Sequence, residues 1–140
     1  RTPYTAAVES HAAKYGIADR VHCLHDVPND DLQALYHAAR LFVYPSVYEG
    51  FGIPIVEAIH AGLPVIAALG SCLEEAGGPA CRYLIPNDAP AWAENIRQLL
   101  ADPKACKHMV TESQAYVRRF NRKTATLQLF QLYQEMLADL

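Results

Sequence analysis

The sequence has no C-x-x-C pair, no basic run longer than Arg118-Arg119, and no apolar stretch approaching the ~20 residues of a membrane span. Its four cysteines, Cys23, Cys72, Cys81 and Cys106, match no zinc spacing. They read as buried or surface thiols in a reducing compartment rather than as a disulfide framework. A formal net charge of −3 without a basic patch argues against nucleic-acid binding as the main role. No secretory signal opens the chain. No internal repeat, low-complexity segment or linker divides it. None of the six histidines pairs with another at metal-ligand spacing beside a carboxylate. Ser46 has no G-x-S-x-G elbow around it, which argues against a hydrolase nucleophile. His60 reads as a surface or packing residue.

What remains is an ordinary globular balance: 140 residues, 51% hydrophobic and 19% charged, enough for one domain with a real core. Arg1-Thr2-Pro3 leads straight into a helical pattern, and the expectation is a piece of something longer. Short apolar runs at 21–24, 41–44, 64–67 and 82–85 read as buried strands. Between and after them, helices are expected at 4–15, about 30–39, 54–61, 90–101, 103–119 and 123–138. Tyr15, Leu32, Leu35 and Tyr36 are expected to face inward, as are Leu127, Phe130, Leu132, Tyr133 and Leu137 on the last helix. Unbroken apolar strands alternating with helices mean an α/β chain: a parallel sheet with helices on both faces.

The richest stretch runs from Pro45 to Pro64. The strand at 41–44 delivers its carboxyl end into a loop, and ligands of parallel α/β sheets sit beyond those ends. Gly50 and Gly52 let the backbone turn and let a ligand approach closely. The amides of Phe51, Gly52 and Ile53 precede a helix whose positive end favours an anion. Glu49 and Glu57 bracket the loop with seven residues between them. Fixed carboxylates beside free amides suit a ligand that carries both hydroxyls and negative oxygens, such as a nucleotide sugar. A carboxylate in the first helical turn also stabilises that helix, and this is the competing reading of Glu57.

The run Pro45-Ser46-x-Tyr48-Glu49-Gly50-Phe51-Gly52-x-Pro54-x-x-Glu57-Ala58 resembles the E-x7-E signature of the retaining glycosyltransferases of family 4, which have the GT-B fold. Asp31-x-x-x-Leu35-Tyr36-x-x-Ala39, Leu41-Phe42-Val43, Gly62-Leu63-Pro64-Val65-Ile66-Ala67 and Tyr83-Leu84-Ile85-Pro86 extend the likeness over nearly the whole chain. The resemblance implies the later part of the family's second domain: a Rossmann-like, truncated C-terminal half of a GT-B fold that binds the nucleotide-sugar donor. It implies Glu49 as the catalytic residue, a carboxylate that contacts the donor sugar and supports charge at its reactive carbon. Gly50, Phe51, Gly52 and Ile53 would hold sugar hydroxyls and diphosphate. Glu57 would bind the ribose, and His25, Asp26 and Val27 would flank the base. It implies no metal and no cofactor besides the donor, an acceptor that is a glycan, lipid or small molecule, and retention of configuration. The implied location is the cytoplasm, or the inner face of a membrane for the whole protein.

Departures from the family pattern carry expectations of their own. The family's diphosphate-binding Arg and Lys have no counterpart here, so a nucleoside diphosphate is expected to bind this chain weakly. Glu74 stands where the family has proline, which makes Glu75 the matching acid. Two strands that separate 21–24 from 41–44 in the family are lacking. Either those two segments pair directly, or an open edge invites self-association. The alternatives to an enzyme of this family are a non-catalytic nucleotide-sugar binding or regulatory module and another GT-B enzyme such as a nucleotide-sugar epimerase.

Overall fold

A computed structural model describes residues 2–138. The chain divides between Leu32 and Gln33 into two compact units. In the first, helix α1 (Pro3–Lys14) starts from Thr2, whose hydroxyl accepts a hydrogen bond from the Thr5 amide. It buries Thr5 and Ala12 but leaves Tyr15 exposed, against expectation. A short 3-10 turn follows at Ala18–Arg20. Residues 21–24 form no strand. Val21 is extended (φ −114°, ψ 117°), so the backbone is suited to a strand, but a β-ladder also requires a neighbour. Helix α2 (Asn29–Ala38) places Asp30 and Asp31 in its first turn, where the helix dipole favours acids. Leu32 and Leu35 lie exposed; of the expected inward positions only Tyr36 packs against the core.

The second unit is built on a parallel sheet in the order β1 (Phe42–Tyr44), β2 (Val65–Ala68), β3 (Arg82–Leu84). Phe42 is in register with Val65, Tyr44 with Ala67, and Ala67 with Tyr83. All four residues of β2 are buried, as a central strand covered by helices requires. Helix α3 (Ile53–His60) joins β1 to β2 and buries Ile55, Ala58 and Ile59. Helix α4 (Leu73–Gly77), which periodicity did not reveal, buries Leu73 and Ala76. Helices α5 (Ala89–Ala101) and α6 (Pro103–Val117) start at Asp88 and Asp102, whose carboxylates accept from amides of the first turn. They add Trp92, Leu99, Met109 and Val117 to the core, each large apolar side chain contributing roughly 1.5–3 kcal/mol by leaving water.

After a 3-10 turn at Arg118–Phe120 comes helix α7 (Arg122–Ala138). None of its residues is buried, and Leu127, Phe130, Leu132, Tyr133 and Leu137 are each at least half exposed. The apolar residues were expected to pack into this chain's core. The core is closed without them, because α5 and α6 already fill it. Among the described residues no helix is long and apolar enough to cross a membrane.

Candidate functional site

The loop between β1 and α3 is held from three sides. Pro45 and Ser46 turn the chain as it leaves β1, which brings Glu49 back over the strand end. Oε1 of Glu49 accepts the Tyr44 hydroxyl at 2.6 Å and the Ser46 hydroxyl at 2.7 Å. The thiol of Cys72, just before α4, donates to the Glu49 carbonyl at 3.1 Å. Gly52 rests on α4, where a Cβ would lie 2.8 Å from Leu73 Cδ2 and 3.2 Å from the Ala76 Cβ. Its φ of +106° independently favours glycine. The ring of Phe51 packs edge-on against Phe120 at 5.1 Å, so its side chain anchors the loop and leaves its amide as the part open to chemistry.

Gly50 differs from Gly52. A Cβ there would meet nothing within 4 Å, and its φ lies outside the left-handed region. The fold itself therefore does not demand glycine at position 50.

The helix start is also informative. Gly52 is the residue that caps α3, and it brings no side-chain bond. The Ile55 amide turns back to the Gly52 carbonyl at 3.0 Å, and Pro54 has no N–H. The amides of Phe51, Gly52 and Ile53 have no acceptor among the described residues. Because α3 begins at Ile53, Glu57 falls beyond its first turn, one residue later than expected. The helix-stabilising reading of this acid weakens accordingly, since the dipole effect fades within the first turn. Glu57 is exposed and accepts the Tyr36 hydroxyl at 3.3 Å through Oε2.

Both acids are thus partnered by tyrosines, and the two tyrosines are joined by Phe42. Its ring lies 5.6 Å from Tyr36 and 5.7 Å from Tyr44. Burial pushes the Tyr36 hydroxyl up to about 12, helped by the Glu57 charge. Burial and the bond to Glu49 push Tyr44 up to about 12. Glu49 goes the other way: the hydroxyls of Ser46 and then Tyr44 hold its carboxyl below the usual range. At neutral pH the loop therefore presents a carboxylate anion beside neutral phenols.

Glu49, Gly50, Phe51, Gly52, Ile53 and Glu57 all belong to the second unit. His25, Asp26 and Val27 lie in the first, where Asp26 has φ +52° and both His25 and Asp26 are exposed. Glu74 accepts the Gly70 amide at 3.2 Å, and Glu75 is exposed. His60 is exposed and its Nδ1 sits 2.8 Å from the Val56 carbonyl. All four cysteines are free thiols. Among the described residues no three His, Cys, Asp or Glu side chains converge as metal ligands would. Sequence reasoning missed Tyr36, Tyr44 and Cys72; the placement of Tyr44 immediately before Pro45-Ser46 was the available signal.

The sequence profile of the family described as "Glycosyl transferases group 1" matches residues 2–116. The chain belongs to this family. As a member of the group 1 glycosyl transferases, it is 40% identical over 107 residues to the O-antigen chain mannosyltransferase B of Escherichia coli, covering 76% of this chain and 28% of that protein. Its fold superposes on sucrose-phosphate synthase from Thermosynechococcus elongatus with a TM-score of 0.82 and 32% identity, over 95% of this chain and 34% of that one. HepE from Anabaena, solved in complex with UDP-glucose, matches with a TM-score of 0.79 and 25% identity, over 98% of this chain and 37% of that one. The fold is that of the GT-B glycosyltransferase domains. The chain spans 28% to 37% of the lengths of these three proteins.

Proposed function

We propose that this chain is the donor-binding part of a retaining glycosyltransferase that moves a sugar from a nucleotide diphosphate to an acceptor hydroxyl. The observation that carries the reading is the loop after β1. It offers an ionised carboxylate with both hydrogen bonds from the described residues on one oxygen, beside three consecutive amides with no acceptor among those residues. A sugar hydroxyl donates to Glu49, and the same charge stabilises positive character as the anomeric carbon loses its leaving group. The amides of Phe51, Gly52 and Ile53, at the start of α3, take sugar hydroxyls and diphosphate oxygens. Gly50 leaves room for the sugar ring. Glu57 accepts from the ribose hydroxyls. The leaving phosphate oxygen takes the acceptor proton, so no protein nucleophile and no metal are required. That HepE has been solved with UDP-glucose supports a nucleotide sugar as the ligand class. The proposed setting is the cytoplasm.

The test uses the full-length enzyme. Glu49→Ala is expected to lower kcat more than it raises KM for the donor, because its contact strengthens in the transition state. Glu57→Ala is expected mainly to weaken donor binding, by about 1–3 kcal/mol for an unpaired polar contact. Wild-type kinetics in both variants would refute the shared site. Donor binding with no turnover in the full-length wild-type protein would favour a non-catalytic binding module.

The expectation of self-association belongs to the same proposal. Among the described residues β1 is paired on one side only, to β2, and an open strand edge favours pairing with a second copy. Sedimentation velocity of this chain should show a concentration-dependent dimer; a monomer throughout would end that part of the reading.

A further inference from the structure

Glu49 makes an asymmetric set of contacts. Both hydroxyls that reach its carboxylate, those of Tyr44 and Ser46, go to Oε1. Oε2 has no hydrogen-bond partner among the described residues. The backbone carbonyl of the same residue is separately held by the Cys72 thiol. Two short bonds to one oxygen fix the plane of the carboxylate. They come from a strand residue and a turn residue, on either side of Pro45. Tyr44 is itself held, because its ring stacks on Phe42 with an interplanar angle of 18°.

We propose that Tyr44 and Ser46 are positioning residues that clamp Glu49 through Oε1 and present Oε2 to the donor sugar. This deepens the proposed function and rests on it. The clamp has a chemical consequence. Ser46 and Tyr44 donate to the charged form of Glu49, so they favour the anion and oppose its protonation. Glu49 then works as a fixed negative charge through the whole cycle and passes no proton. The other titratable groups near the clamp are occupied or set apart from it. Tyr36 lies across Phe42 and donates to Glu57 on α3, and the Cys72 thiol from the α4 side is bonded to the Glu49 carbonyl. Tyr48, the next residue in the chain, is 94% exposed. None of these replaces the two hydroxyls.

The experiment is a carboxyl 13C titration of Glu49 in the wild-type protein and in Tyr44→Phe, Ser46→Ala and Ser46→Thr. Tyr44→Phe keeps the ring on Phe42 and removes only the hydroxyl; Ser46→Thr keeps the hydroxyl. The midpoint of Glu49 should move up in Tyr44→Phe and in Ser46→Ala, and return toward wild type in Ser46→Thr. A purely structural role would not produce that rescue. An unmoved midpoint in folded Tyr44→Phe and Ser46→Ala would overturn the clamp. In the full-length enzyme the acid limb of kcat should shift upward in the same two variants, with KM for the donor changed less than kcat. The two readings fail separately. Titrations as expected, with no donor bound at Glu49, would keep the clamp and remove the proposed function. Donor binding at Glu49 with unmoved midpoints would do the reverse.

Discussion

Gly52 and Leu73 are in such close contact that a single added carbon on the glycine would lie 2.8 Å from the leucine Cδ2. This contact binds the motif loop to α4, an element the sequence pattern does not announce. It also separates two glycines that look equivalent in sequence. Gly52→Ala is expected to cost about 2 kcal/mol or more, because the side chain is overpacked against Leu73 and Ala76 and the backbone is left-handed. Gly50→Ala is expected to stay within about 0.5 kcal/mol of wild type, since its Cβ enters open space. Urea unfolding of the two variants checks both. Equal destabilisation would mean that the loop is not held as described.

The tyrosines give an alkaline signature. Tyr36 and Tyr44 are raised from 10 to about 12, so the folded chain keeps their protons where the unfolded chain has lost them. The unfolded state then binds fewer protons, and stability falls as pH rises through that window. It should be fully present below pH 10 and be lost progressively toward pH 12. Thermal unfolding across this range measures the fall. In a spectrophotometric titration, Tyr44→Phe should remove phenolate absorbance that develops near pH 12. Loss of absorbance near pH 10 instead would place the Tyr44 hydroxyl in water rather than on Glu49.

Local patterns served the sequence reading well where structure is local. The strands at 42–44, 65–68 and 82–84 and helices α3, α5 and α6 lie within a residue or two of expectation, because each has its own apolar run and stop signal. The candidate site could be singled out for the same reason: Glu49 to Glu57 is one continuous stretch. Residues 21–24 were misread because a strand is a property of a pair, and an apolar run alone does not provide its partner. Helix α4 escaped notice because five residues with two buried side chains make too short a periodic signal. The apolar positions of α7 were assigned to the core because the helix was read as amphipathic, although periodicity does not identify what a helix packs against. The Tyr36–Glu57 contact spans 21 residues and two helices, so nothing in sequence spacing exposes it. Tyr44–Glu49 spans only five, but it bends around Pro45 and follows neither helical nor strand period.

The central claim is that the loop after β1 holds a nucleotide sugar. Amide chemical-shift mapping of this protein with a nucleotide sugar tests it most directly, using UDP-glucose and GDP-mannose in parallel. The account predicts weak, saturable binding of at least one, with the largest shifts at the amides of Phe51, Gly52 and Ile53 and at Glu49, and with weaker binding in Glu57→Ala. Saturable binding whose shifts lie elsewhere and leave these four residues unmoved would contradict it, as would no response to either ligand at millimolar concentration.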